Sequence, residues 1–166
     1  MPTAKKDVKE KLDLTAAVEE GPYYKPGSPE RRNIVETGTP GQKLVVEGRV
    51  LDRQGRPVPH AWLDFWQADG KGGYDNEGYK LRGHQYADKE GHYHLETVRP
   101  YQYQVRAAHV HVKVRAGEKS PILTSQLFFP GEKLNATDPL FEKLTVMEVK
   151  DTADGQKAKF DFVVEM

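Results

Sequence analysis

Cysteine is absent from the 166 residues. That excludes a disulfide framework, a thiolate nucleophile and any Cys-ligated zinc or iron–sulfur cluster. An excess of either charge is also missing, since 25 Lys and Arg balance 25 Asp and Glu. The two signs are interspersed, so there is no basic patch or stripe of the kind that nucleic-acid binding requires. No apolar run approaches the roughly 18 residues of a membrane span. The N-terminal MPTAKKDVKEKLDL has no apolar segment of the signal-peptide type. The expectation is a soluble, cytoplasmic protein with neither nucleic acid nor membrane as a partner.

What is present suits one small domain. The length lies close to the common range of about 100–150 residues, and a chain of this size buries roughly 68–70% of its unfolded surface. Residues 1–20 are charge-rich, with a weak apolar spacing at Val8, Leu12 and Leu14. They read as an N-terminal arm or short helix ahead of a domain spanning residues 21–166. Residues 21–41 hold four prolines, which suit an extended, ordered loop rather than a strand or helix.

From Lys43 onward the pattern is β. The alternating runs KLVVEGRVL, HAWLDFWQA, HYHLETV, HVHVKV, ILTSQLFF, KLTVMEV and KAKFDFVVE are separated by turn signals such as Asp69-Gly70, Pro130-Gly131 and Asp154-Gly155. About seven or eight strands punctuated in this way predict an all-β sandwich rather than βαβ units. Trp62 and Trp66 share one strand face and read as core. Residues 70–83 carry five glycines and little alternation; a loop this long in a compact domain is often functional.

Two pairs of histidines have strand spacing. His109 and His111 stand two apart, as do His92 and His94. Residues i and i+2 of a strand point to one face about 6.6–6.8 Å apart, so either pair could converge on one metal ion. Each pair also lies on the polar face of its own strand, and periodicity does not choose between them. A cupin would place Glu four or five residues after the second histidine; Arg115 and Ala116 stand there instead. A zinc hydrolase completed by His60, His84 or a carboxylate stays open. The chain has eight tyrosines, with Tyr74, Tyr79, Tyr101 and Tyr103 in or beside the loops near these strands. A phenolate is a hard, strongly donating ligand suited to ferric iron, because the cation must displace a proton of pKa about 10.

Several ordered blocks then coincide. Glu20-Gly21-Pro22-Tyr23-Tyr24, VEGRVLDRQGRPVPHAWLDFWQAD, Gly73-Tyr74 and Arg82-Gly83 are followed by Ala87-Asp88-Lys89-Glu90-Gly91-His92-Tyr93. Thr97-Val98-Arg99-Pro100-Tyr101-Gln102-Tyr103, RAAHVHVKV and Leu123-Thr124-Ser125-Gln126-Leu127-Phe128-Phe129 continue the register. Over residues 20–131 the sequence resembles the intradiol ring-cleavage dioxygenases, the non-haem ferric family that includes catechol 1,2-dioxygenase and protocatechuate 3,4-dioxygenase. The resemblance implies Fe(III) held by Tyr74, Tyr103, His109 and His111, with Tyr103 and His111 axial. It assigns Tyr103 rather than Tyr101 by its place three residues after a proline. It also implies catalytic roles for Arg106, as a cation facing negative charge on the ring, and for Gln126, in orienting substrate. Tyr24 and Tyr79 are candidates for lining the pocket.

The activity implied is cleavage of a catecholic ring between its two hydroxyl-bearing carbons with O2, giving a cis,cis-muconate-type diacid. In that scheme the substrate binds as a dianion and displaces a hydroxide and Tyr103, each of which takes up one substrate proton. The chain departs from the family in three respects. The segment between Tyr103 and Arg106 is short, and Ala107 replaces the usual proline. The long helical N-terminal region of the catechol enzymes has only residues 1–20 in its place. Protocatechuate, catechol, hydroxyquinol and substituted catechols all fit, as do a monomer and a small homo-oligomer. The alternatives are a non-catalytic β-sandwich binding module and the zinc hydrolase.

Overall fold

Nine strands account for the fold in a computed structural model that describes residues 11–166. The first half of the expected arm, residues 1–10, lies outside the described residues. The strands are β1 (Lys43–Leu51), β2 (Trp62–Gln67), β3 (Arg82–Tyr86), β4 (His92–Val98) and β5 (His109–Arg115). They continue with β6 (Leu123–Phe128), β7 (Glu148–Thr152), β8 (Gly155–Lys159) and β9 (Phe162–Val163). One sheet has the order β3-β2-β5-β6 and is antiparallel throughout. The other has the order β4-β1-β8-β7, and β1 runs parallel to both β8 and β9. The all-β sandwich expected from the sequence is the fold observed.

Alternation builds the core between the sheets. Leu63 and Phe65 of β2 and Val110, Val112 and Val114 of β5 face Leu44 and Val46 of β1, Leu95 of β4 and Phe162 of β9, all fully buried. Their burial, at about 25 cal/mol per Å² of apolar surface, is the main favourable term. The outer face of the second sheet is polar and wet: Glu47 pairs with Lys157 there and accepts a hydrogen bond from His94.

Three local readings are corrected. Strand β3 is not among the expected runs, because Arg82-Gly83-His84-Gln85-Tyr86 has no apolar alternation, and its first two residues belong to the expected loop of residues 70–83. The run KLTVMEV begins instead as a 3-10 turn, Lys143–Thr145; Val146 makes one isolated bridge to Phe128, and the ladder of β7 starts at Glu148. Trp66 is buried, yet it lies on the face of β2 opposite Leu63 and Phe65, outside the inter-sheet core.

The N-terminal segment explains the last correction. Residues 11–42 have no helix or continuous strand, as the prolines predict for the second half. Val18 N–H donates to Thr124 O along the free edge of β6. The chain then crosses the outer face of the first sheet and reaches the edge of β3, where Arg31 N–H donates to His84 O and His84 N–H to Pro29 O. This strap shields both sheet edges from further pairing, and it turns the polar face of β5 into an interior. Among the described residues no helix is long and apolar enough to cross a membrane.

Candidate metal centre

Strand register sets four side chains in one row across the strapped face: Arg82, Trp66, His111 and Gln126, on β3, β2, β5 and β6. His109 lies one step along β5, opposite Phe128. His109 and His111 are 4% and 3% exposed, a burial that their shared periodicity with His92 and His94 does not reveal. His92 instead lies near Asp88, and His94 meets Glu47 at 3.3 Å on the wet face of the other sheet.

Two loops bring tyrosines over this row. The loop before β3 is folded by carboxylates: Asp69 accepts from Lys71 and Gly73 N–H, and Asp75 accepts from Glu77, Gly78 and Lys80 N–H. Tyr74 stands between these turns. Gly72 has φ +87° and lies so close to the next loop that a Cβ there would sit 2.6 Å from Gln102 O. That approach brings Tyr74 and Tyr103 together, with ring centroids 5.3 Å apart. The second loop closes as a tight turn in which Tyr103 and Arg106 exchange both backbone hydrogen bonds, with Gln104 at φ +54°. Arg82 fastens the assembly: its guanidinium donates to Asp75 O, Asn76 Oδ1 and Tyr23 O.

Three donor atoms converge. Tyr74 Oη lies 3.0 Å from His111 Nε2 and 3.4 Å from His109 Nε2, and the two Nε2 atoms are 3.0 Å apart. Atoms bonded to one ion at about 2.0–2.1 Å and separated by about 90–120° lie about 2.8–3.6 Å from each other. The triangle therefore has the dimensions of three ligands of a single metal. The tautomer also fits, because His109 Nδ1 donates to Ala107 O at 2.6 Å and leaves Nε2 as a lone pair. His111 stacks on Trp66 at 4.7 Å, and its Nδ1 is buried without a partner. Among the described residues no three His, Asp or Glu side chains group to hold a metal, so a centre here needs the tyrosines.

Electrostatics favours neutral donors until a cation arrives. Burial pushes the His109 pKa down to about 4. It pushes that of His111 well below its usual value, helped by His109, Arg106 and Arg82. Burial raises the Tyr74 pKa, although Arg106 and Arg82 oppose the rise. A cation that replaces the Tyr74 proton must carry high charge.

The other expected site residues divide. The Tyr103 hydroxyl is not within the triangle; it bonds to the Tyr23 hydroxyl, which raises its pKa. Arg106 and Gln126 meet through Arg106 Nη2 and Gln126 Oε1, and the Gln126 amide donates to Glu19 O. Tyr24 donates to Asp64 Oδ2 and packs on Trp66, two rings removed from His111. Tyr79 donates to Pro26 O under the strap. A cavity of about 260 Å³ has Tyr74, Asp69, Asp75 and Lys80 in its wall. A larger groove of about 730 Å³ lies on the other sheet beside His92 and His94 and contains none of the converging donors. Tyr23 and Arg82 were missed as site residues although both stand in the matching blocks, whereas Asp138, which grips Arg106, had no sequence signal.

The fold and site together define a β-sandwich protein with a buried cluster of tyrosine and histidine donors. Comparison with known proteins narrows it: residues 19–165 match the model of the family described as Dioxygenase, and the chain belongs to that family. It is 32% identical over 129 residues to the protocatechuate 3,4-dioxygenase β chain of Burkholderia cepacia, a match covering 67% of this chain and 55% of that one. It is 29% identical to the hydroxyquinol 1,2-dioxygenase of Nocardioides simplex, covering 78% of this chain and 52% of the relative. The chain spans about half the length of these curated relatives. A solved structure resembles it over nearly its full length. The dioxygenase domain of a dioxygenase carbohydrate-binding protein fusion from Streptomyces sp. SirexAA-E shares 44% identity at a TM-score of 0.89, covering 93% of this chain and 99% of that one.

Proposed function

We propose that the chain is an intradiol dioxygenase that opens a catecholic ring between its two hydroxyl-bearing carbons with O2 to give a cis,cis-muconate-type diacid. The observation that carries this reading is the convergence of Tyr74, His109 and His111, with Tyr103 beside them. Membership of the family supports the reaction class. Residues 21–166 are the catalytic domain in this reading, and the relatives' names point to catechol-type substrates.

Tyr74, Tyr103, His109 and His111 would hold Fe(III). When bound, the ion would withdraw electron density from a catecholate and open a path for a closed-shell ring to react with triplet O2. The rest is the work of the chain. His109 and His111 bind as neutral imidazoles, which burial already enforces. Tyr103 would be the most weakly held of the four, since its hydroxyl lies outside the donor triangle and has Tyr23 as a hydrogen-bond partner. As a phenolate it accepts a substrate proton at Oη, so ligand and base are one group. Arg106 holds a permanent positive charge beside the cluster, where it stabilises negative charge that develops on the ring. Gln126 Oε1 accepts from Nη2 and keeps one edge of that guanidinium occupied. Trp66 and the strap exclude water behind His111.

The test is a visible spectrum with metal analysis of the purified protein, before and after anaerobic catechol, followed by product analysis in air. A broad tyrosinate-to-iron band near one iron per chain, shifted by catechol, and a ring-opened diacid are expected. A protein that stays colourless after ferric reconstitution and leaves catechol intact refutes the reading.

A further inference from the structure

Asp138 follows the 3-10 turn Lys133–Ala136, outside both sheets, yet its carboxylate reaches the segment that leads into β5. Its side chain is fully buried. Both oxygens accept from Arg106 Nε at 2.9 Å; Oδ1 also accepts from Leu140 N–H at 2.9 Å and Oδ2 from Ala107 N–H at 2.8 Å. Arg106 spends Nη2 on Gln126, and no described residue takes Nη1. Gln126 is itself buried and tied to Glu19 O at 2.9 Å. A guanidinium is a rigid planar fork, so pinning Nε and Nη2 fixes the direction of the donor that is left.

Stability alone is a poor reason for this arrangement. The attraction within a buried carboxylate–guanidinium pair roughly offsets the desolvation of both charges. What the pair provides is direction, close to the donor triangle: the charge of Arg106 is felt at Tyr74, His109 and His111. We propose that Asp138 is the positioning residue for Arg106, turning its free Nη1 toward the place where the catecholic ring binds. This rests on the role given to Arg106 above. Asp138 has a second line of contact, because Ala107 donates to it and accepts from His109 Nδ1. A merely structural role would therefore disturb the metal ligands, whereas a positioning role acts through Arg106 alone.

A double-mutant cycle on the iron-loaded full chain separates the two. Asp138→Asn should lower kcat about 10–100-fold, and Arg106→Ala about 100–1000-fold, as for loss of a charge-stabilising donor. The double variant should be no slower than Arg106→Ala, since residues acting through one another are not additive. The tyrosinate band and the anaerobic catechol Kd should change less than about twofold on Asp138→Asn, as expected if ligands and binding are untouched. In the metal-free protein, NMR should show a slowly exchanging Arg106 Nε–H that turns fast in Asp138→Asn while the His109 ring signals hold still. Unchanged kcat in Asp138→Asn, effects that multiply in the double variant, or an unaltered Nε–H overturns the proposal. Should the Asn variant not fold, Asp138→Glu keeps the charge and shifts it by one methylene, and the same readouts apply. A wild type that does not turn over catechol sinks the reading of Arg106; the metal-free NMR comparison still decides whether Asp138 holds it.

Discussion

Asp64→Ala should unlatch the strap. Asp64 is 3% exposed on β2, and its two oxygens accept from Tyr24 Oη and Ser28 Oγ, each at 2.8 Å. These bonds fasten the strap over the row that includes Trp66 and His111. A hydrogen bond to a charged group contributes about 1.5–3 kcal/mol, so the pair contributes about 3–6 kcal/mol before the cost of burying the carboxylate is counted. After that offset, and with both hydroxyls left to find other partners, a net loss of about 2–4 kcal/mol remains. At about 2–4 °C per kcal/mol for a chain of this size, Tm should fall by about 4–16 °C. Asp64→Asn keeps an acceptor for one hydroxyl and should lose about half as much. Amide exchange supplies the second readout. Arg31 and His84 N–H, which join strap to β3, should exchange faster in Asp64→Ala, while Val112 in the centre of β5 should not. A variant within about 0.5 kcal/mol of wild type, the ordinary range of a surface change, with Arg31 still protected, would refute the latch.

Three further outcomes follow from the donor cluster. His109→Ala or His111→Ala should abolish iron retention, measured by metal analysis after gel filtration, whereas His92→Ala and His94→Ala on the opposite sheet should retain it. Tyr103→Phe should shift the tyrosinate band and strongly lower turnover of catechol; an unchanged colour and rate would remove Tyr103 from the ligand set. The metal-free protein should lose stability as pH falls from about 6.5 toward about 4, because the unfolded chain binds protons that buried His109 refuses in that window. Below it, Asp75, held at about 2 by the N–H groups of Gly78, Lys80 and Glu77, adds a second loss as pH drops from its unfolded value of 3.8 through 2. Urea midpoints at pH 7, 5 and 3 check both, and a flat profile between 7 and 5 contradicts the burial of neutral histidines.

The fold was legible wherever one strand face met the core and the other met water or polar neighbours. Val110, Val112 and Val114 alternate with His109, His111 and Lys113 for that reason. Strand β3 escaped because neither face is apolar in the ordinary way. Gly83 makes room for Ile34 and Arg31, and buried Gln85 bonds to the backbone of His94. Lys143–Thr145 looked like strand because Val146 and Met147 are apolar, but only a single bridge from Val146 to Phe128 and one bond from Met147 hold them to β6. At the site, the two histidine pairs had identical local patterns. What separates them is the strap, a contact across about 90 residues that no local periodicity carries. Tyr23 and Asp138 escaped on similar grounds, since each acts on a partner distant in sequence.

The parallel pairing of β1 has a consequence for how the chain is made. One edge of β1 joins β4, which is complete by Val98. The other waits for residues 156–163, which supply β8 and β9. Throughout most of synthesis that edge is therefore an open row of backbone donors and acceptors beside Leu44, Val46 and Val50. Such an edge is a template for pairing with a neighbouring nascent chain. A ribosome stalled before Gln156 should release aggregating chains, and one that clears Val163 should release folded ones.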